Sequence, residues 1–599
     1  MLHDELRQFY TTRRLAFDRS FQQVSAKINV ISNLRLLVAI LVIVAVWVGF
    51  KYNYYFLNVI PVLFVLFAVL MQRHARRFAE KTRLQNLIII QDRELQAMEG
   101  NVSSFEAGAS FIDTHHPYTH DLDIFGEGSL FQYLNRCVTH DGKKMLAHRL
   151  EHPLPDVGSI IENQDGVKEL AAMPEFCHEV QATGMQIEDL SGDRRQLSDW
   201  LQQKPFLWGR QWMAFVRWML PLVTIALLVL SFLVDGISPV FWFCALTQWA
   251  ILAIHLKKVN AFHQYVSNKK TVLAKYAELL RLFHSTRFHS EKLVALRNKA
   301  SDGHLRVLQL SKLVGALDAR LNWMTNLVVN SFLLYDLQCI YNLEKWKQEN
   351  ASSLLQWLDT INELEVLVSL GTLTFNNAPF TFPTLNTNRN LNAKQMGHPL
   401  LLSMERVGND IIMDPASSVA IITGANMAGK STFLRTLGTN VVLALSGAPV
   451  CAKSFDCPLI SLRTGMRTAD SLHDHQSYFY AELNRLKRIV DELKEGRNLL
   501  ILLDEILKGT NSTDKQTGSI ALVKQLVDYP SLVLIATHDL ALGDLEYEYP
   551  HRVRNFCFEP KIDNDQLSFD YKLNRGVAQK MNATFLMKKM GIIPSSTQE

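Results

Sequence analysis

Residues Val419–Arg435 read VAIITGANMAGKSTFLR, and they restrict the fold of this 599-residue chain more than any other stretch. An apolar, β-type run, Val419–Ile422, leads into Gly424-Ala425-Asn426-Met427-Ala428-Gly429-Lys430-Ser431, followed by Thr432. The spacing G-x-x-x-x-G-K-S belongs after a strand and before a helix. Glycine lets backbone N–H groups turn inward with no Cβ in the way. A helix starting near Lys430 aims its first N–H groups and its dipole at the same point, which suits an anion. The stretch therefore predicts a phosphate cradle. In it Lys430 neutralises charge on β- and γ-phosphates and the Ser431 hydroxyl binds Mg²⁺, so ATP and Mg²⁺ are the implied ligands.

Such a loop needs acidic partners on a neighbouring strand. Leu499–Leu503 is a continuous apolar run that ends in Asp504 and Glu505. It reads as a buried parallel strand with carboxylates at its C-terminal edge, where doubly wound sheets place their sites. Asp504 is expected to hold Mg²⁺ through water, and Glu505 to orient and deprotonate the attacking water. Leu532–Thr537 is a further strand, ending at His538.

Four other apolar runs form two hairpins, Leu36–Phe50 with Tyr54–Met71 and Met219–Val234 with Ile237–Leu256. Each is near the length needed to cross a bilayer. Basic residues sit outside both hairpins, including Arg35 before and Arg73, Arg76 and Arg77 after the first, and Arg217 before and Lys257 and Lys258 after the second. The tips, at Lys51-Tyr52-Asn53 and Asp235-Gly236, are short. The positive-inside rule then puts the N-terminus, the segment between the hairpins and the C-terminal half in the cytoplasm. Trp47, Tyr52, Tyr54, Tyr55, Trp212, Trp218 and Trp242 fit interfacial belts. The expectation is a multi-pass protein of the cytoplasmic membrane with four transmembrane helices in the lipid bilayer and no secretory leader. A formal charge of +4 is too small to mark a nucleic-acid binder by itself. The seven cysteines include no C-x-x-C pair, which argues for reduced thiols and against a zinc site. Asp113, His115, His116, His120, Asp121 and Asp123 lack the i, i+4 helical spacing of zinc helices and read as polar loop chemistry.

Several segments then match one family in order. Asp121-Leu-Asp-Ile-Phe-Gly, Ser129-Leu-Phe, Val138-Thr-His-Asp-Gly and His152-Pro-Leu-Pro-Asp resemble the opening of the core domain of MutS-family mismatch-repair ATPases. The resemblance resumes at Asp359-Thr-Ile-Asn-Glu and continues through Gln395-Met-Gly-His398-Pro399, which resembles the segment that flanks the nucleotide. Arg463-Thr-Gly-Met-Arg467-Thr-Ala-Asp470-Ser471, Ser477-Tyr-Phe-Tyr-Ala-Glu482, Gly509-Thr-Asn-Ser-Thr513 and Tyr571-Lys-Leu-Asn-Arg-Gly576 resemble later motifs of its ATPase. The resemblance implies a homodimer in which Ser477 reaches the other subunit's γ-phosphate. It also implies that Asn426 contacts the γ-phosphate, that His538 senses it, and that DNA is a partner. No protein partner beyond a second copy is identifiable. Three departures stand out: Ala425 replaces a proline, Leu507 replaces a glycine, and Asn511 adds to the loop before Ser512. Phe125-Gly126-Glu127 spells the F-x-E with which mismatch-recognising members wedge DNA. It lies inside the core opening instead of a separate N-terminal domain, so Phe125 is expected to pack.

The expected architecture is multidomain. An α-helical core and lever region carries two transmembrane hairpins and precedes an α/β P-loop ATPase domain. The expected divisions are 1–100 with the first hairpin (about 36–71), a core segment 101–205, a second hairpin region 206–260 (about 219–256), a lever and core segment 261–390, and the ATPase with its dimerisation segment, 391–599. The mismatch-recognition domain is expected to be lacking. The expected activity is ATP hydrolysis coupled to binding of mismatched or structured DNA in repair; the alternative is a membrane mechano-ATPase acting without DNA.

Overall fold

The computed structural model describes residues 3–187, 193–267, 269–321, 323–467, 478–507, 511–563 and 566–579. An extended helical region runs to Asn376, and a mixed α/β region follows it.

The helix His3–Lys51 carries the first apolar run and its basic N-terminal flank without a break. The chain turns at Tyr52 and Asn53, passes through a 3-10 segment, Tyr54–Val59, and re-enters an α-helix at Ile60–Met98. Asn53 caps the 3-10 segment by accepting from the Tyr55 N–H at 3.0 Å, and proline occupies the first turn of the returning helix, where no N–H is needed. The charged stretch from Gln72 to Met98 is the continuation of this returning helix. No proline or glycine interrupts it before Gly100.

The second hairpin pairs Gln211–Ser231 with Ser238–Val266, turning at Gly236, whose φ is +91°. These two helices and those of the first hairpin are long and apolar enough to cross a membrane. A helix hidden in a protein core would bury most of its apolar surface. Here only 6 % of the apolar window is buried in each helix of the first hairpin, and 17 % and 22 % in the second. All seven aromatic residues assigned to interfacial belts are exposed.

Both hairpins are tied to one long helix, Tyr335–Asn376. At 1.5 Å per residue it is a rod of roughly 60 Å. Near its start, buried Glu344 accepts the backbone N–H groups of Phe206, Leu207 and Trp208 at 2.8, 2.9 and 2.7 Å, fixing the base of the second hairpin. At its end, Asn376 accepts from Tyr10 Oη at 2.6 Å and donates to Glu94 at 2.8 Å, fixing the first. A buried carboxylate that accepts three backbone N–H groups is satisfied in place.

Among the described residues the α/β region has ten strands: β1 Thr384–Asn386, β2 Leu391–Met396, β3 Asn409–Met413, β4 Val419–Gly424, β5 Ser454–Pro458, β6 Ser461–Gly465, β7 Leu499–Asp504, β8 Leu532–Thr537, β9 Val553–Asp563 and β10 Gln566–Arg575. One sheet has the order β10-β9-β4-β8-β7-β6. Its strands β9, β4, β8, β7 and β6 are parallel, and β10 is antiparallel to β9. A smaller sheet, β1-β5-β2-β3, lies beside it in the chain order. β4 and β8 are buried at every position, as parallel strands covered on both faces must be.

The helical region docks on the helix Lys430–Leu445 that follows β4. The Leu154 N–H donates to the Leu445 carbonyl at 3.1 Å, and a Cβ on Gly438 would lie 2.8 Å from Leu122. Phe125 is buried against Phe111 and Phe131 with ring centroids 5.8 and 5.6 Å apart, the packing role its position predicts.

Candidate functional site

The loop after β4 owes its shape to a run of left-handed backbone. Gly424, Met427 and Gly429 have φ of +151°, +68° and +106°. A Cβ on Gly424 would sit 2.7 Å from the Phe558 carbonyl oxygen, and one on Gly429 would sit 3.1 Å from the Tyr571 ring. Both glycines are therefore required by close approach as well as by φ. The Lys430 ammonium is buried and folds back onto the loop, donating to the Gly424 and Ala425 carbonyls at 2.7 and 2.9 Å.

A cavity of about 430 Å³ opens in front of this loop. Ala425, Asn426, Met427, Gly429, Lys430, Ser431, Thr432 and Glu505 line it together. Gly424 and Ala428 are buried behind the loop surface. Asp504 ends β7 and faces a smaller adjoining cavity that Glu505 also lines. His538 follows β8 and reaches the main cavity through Glu505: its Nδ1 is 3.5 Å from Glu505 Oε1, and its Nε2 is 3.5 Å from Lys515 Nζ. Ser477 lies outside the described residues, as do Asp470, Ser471, Gly509 and the segment 580–599.

Glu505 itself has φ of +55°, a conformation that costs a non-glycine residue on the order of 1–3 kcal/mol and recurs at functional sites. Its N–H is held by the Ala536 carbonyl at 2.8 Å. Leu507, at the position where the family pattern has glycine, also has a left-handed backbone, φ +59°. Its N–H donates to Glu482 Oε1 at 2.6 Å, and its side chain is buried. Asn511 is the N-cap of the helix Ser512–Val527, accepting from the Asp514 N–H at 2.8 Å.

The other end of the cavity was not legible as one site in the sequence. His398, Leu401, Val407, Phe433, Phe558 and Tyr571 meet there from four separate stretches. Asn409 holds this corner by donating to the Tyr571 carbonyl at 3.0 Å and accepting the Leu573 N–H at 2.9 Å. Burial, helped by the nearby Arg435 and Arg406 guanidinium groups, lowers the His398 pKa to about 4, so this imidazole is neutral at physiological pH. The only signal for Tyr571 was its place in the closing strand motif.

A second set of contacts joins the site to the helical region. Asp121, 1 % exposed, accepts from Thr464 Oγ1 at 2.7 Å, the Met466 N–H at 3.0 Å, the Arg467 N–H at 3.1 Å and Arg485 Nη1 at 2.9 Å. Asp123 pairs with Arg467 at 2.5 Å and Arg435 at 3.0 Å. The acidic residues of the 113–123 loop thus include two that bind arginines and backbone of the α/β region. Among the described residues no group of three or more His, Cys, Asp or Glu side chains could hold a metal ion.

Two family models match the chain: MutS domain III over residues 114–205 and MutS domain V over residues 420–597. Similar curated proteins include the DNA mismatch repair protein MutS of Thermotoga maritima, 31 % identical over 240 residues, which is 39 % of this chain and 30 % of the relative. That of Chloroflexus aurantiacus is 34 % identical over 220 residues, 35 % of this chain and 22 % of the relative. That of Desulforapulum autotrophicum is 33 % identical over 253 residues, 41 % of this chain and 28 % of the relative. The alignments thus span less than a third of the length of these relatives. Both domain matches fall in family order, and the domain V match begins on β4 and takes in the loop at Lys430, so residues 114–205 and 420–597 are similar to domains III and V of the MutS family.

Proposed function

We propose that the chain is a membrane-anchored ATPase of the MutS family that binds and hydrolyses ATP as a dimer. The observation that carries this reading is the buried Lys430 ammonium, held by two carbonyls of its own loop beside a cavity that Glu505 also lines. A cation buried there has a ready anionic partner in a polyphosphate. The donor set fits ATP with Mg²⁺: two glycines that tolerate no Cβ, a hydroxyl at Ser431 and a carboxylate at Asp504. Bound Mg²⁺ supplies charge neutralisation on the β- and γ-phosphates, with Ser431 and, through water, Asp504 as the residues that would hold it.

The roles of the chain's own groups follow. Loop N–H groups between Gly424 and Thr432 bind phosphate oxygens, and Asn426 adds a contact to the γ-phosphate. Lys430 exchanges its two carbonyl partners for phosphate. Glu505 orients the attacking water and takes its proton. His538, 3.5 Å from Glu505, positions that carboxylate and senses the γ-phosphate. His398, Phe558 and Tyr571 supply the less polar wall suited to the base and ribose. Ser477 acts on the site of the second subunit. The four exposed apolar helices cross the bilayer and leave the ATPase in the cytoplasm. Site closure would reach them through Asp121 and the 335–376 helix.

ATP hydrolysis coupled to mismatched or structured DNA is the favoured output, because the relatives are named for DNA mismatch repair. The membrane mechano-ATPase reading rests on the two hairpins tied to one rod. The deciding measurement is the ATPase rate in lipid nanodiscs with no DNA and with homoduplex, mismatched and branched DNA. Lys430→Ala serves as control. Stimulation by DNA that disappears in the control supports the first reading. Lys430-dependent hydrolysis indifferent to every DNA refutes it in favour of the second.

A further inference from the structure

A second polar cavity, of about 310 Å³, lies at the base of the first hairpin, where Ile60–Met98 meets the 104–106 loop and the segment 135–143. Three cations line it, Arg93, Arg136 and Lys143, against two carboxylates, Glu94 and Glu106. Both carboxylates are committed. Glu94 is bound by Arg136 at 2.5 and 2.9 Å and by Asn376 at 2.8 Å. Glu106 is bound by Lys143 at 2.5 Å. Arg93 is half-buried and makes no ion pair or hydrogen bond among the described residues. Burial and the neighbouring Arg136 disfavour its charged form and outweigh the opposing pull of Glu94.

Two further groups in the wall lack partners. Gln181 is 5 % exposed, and its Nε2 has no hydrogen-bond partner among the described residues; the Ser104 hydroxyl is likewise buried and unbonded. A buried donor left unbonded costs roughly 1–3 kcal/mol, so two such donors and a half-buried guanidinium lining one polar cavity call for an acceptor.

We propose that this cavity binds a small, soluble, phosphate-bearing anion, held by Arg93, Gln181 and Ser104, that clamps the hairpin stalk to the helical core. A guanidinium offers the bidentate geometry that phosphate accepts. A lipid headgroup is the wrong source. Arg93 lies about 22 residues beyond Met71 along one continuous helix, about 33 Å from the end of the apolar band at 1.5 Å per residue. The site is independent of the loop at Lys430 and of what that loop binds.

The test is calorimetric titration of inorganic pyrophosphate into the full chain in nanodiscs, in the Lys430→Ala background to silence the first site. One remaining site is expected, weakened at least about tenfold by adding Arg93→Gln. Without ligand, Arg93→Gln should melt at the same temperature or higher, because it removes a cation whose burial and repulsion by Arg136 outweigh its attraction to Glu94. The proposal is overturned by absence of the second site, by affinity indifferent to Arg93→Gln, or by a lower melting temperature of that variant without ligand. Competition from phosphatidic acid in the disc overturns the assignment to a soluble ligand.

Discussion

Replacing Asp121 by asparagine tests whether the helical core and the ATPase are coupled through one carboxylate. The two side chains have nearly the same volume, so packing is kept. Asp121 Oδ2 accepts from Thr464, Met466 and Arg485, and Oδ1 accepts from the Arg467 N–H at 3.1 Å. Asparagine has one oxygen. With that oxygen at the Oδ2 position, its amide N–H groups face the Arg467 N–H, donor against donor. The charge partner of Arg485 also disappears. An unbonded buried N–H costs roughly 1–3 kcal/mol and a charge-assisted bond roughly 1.5–3 kcal/mol. Arg485 keeps about a quarter of its side-chain exposure, which moderates the second loss. The sum is about 3 kcal/mol of local stability, close to a hundredfold in the opening equilibrium. Hydrogen exchange reads this without assuming that a multidomain chain unfolds in one step. The Met466 and Arg467 amides should exchange about a hundredfold faster in Asp121→Asn, while amides in β4 stay protected. Exchange at both amides within about threefold of the unsubstituted protein refutes the argument.

Glu505→Gln should keep ATP binding and lower single-turnover hydrolysis by about 10²–10⁴-fold, the usual contribution of a general base; unchanged turnover would remove Glu505 from that role. Leu507→Gly relieves about 1 kcal/mol of left-handed strain but forfeits burial of a leucine, which costs roughly 2–5 kcal/mol. The variant should therefore melt at a lower temperature, and a rise would mean that strain outweighs packing there. Because His398 has a folded pKa of about 4 against 6.5 unfolded, the unfolded chain takes up a proton first as pH falls. Its contribution is complete above pH 6.5 and declines by roughly 3 kcal/mol towards pH 4. Denaturation of His398→Gln against pH should show a shallower acid loss than the parent, and equal slopes would contradict the burial argument.

Three kinds of feature were legible along the chain. The strand–loop–helix at 419–445, the apolar runs ending at Asp504 and His538, and the two apolar hairpins are each written in contiguous residues. They depend on local rules: glycine where φ is positive, continuous apolar sequence where a strand is covered on both faces, and apolar length matched to a bilayer. The composition changes from apolar to charged midway along Ile60–Met98, yet the helix continues because the backbone meets no breaker. The apolar wall formed by His398, Phe558 and Tyr571, the grip of Asp121 on Met466 and Arg467, and the cluster around Arg93 join residues far apart in sequence.

By itself the sequence determined the elements and the chemistry carried on each, because backbone preference and hydrophobic pattern act over a few residues. The tertiary structure alone decided which side chains share a cavity and which carboxylate meets which arginine. Those pairings depend on how faces of separate elements pack, and on where burial leaves a donor or a charge that only a distant residue can satisfy.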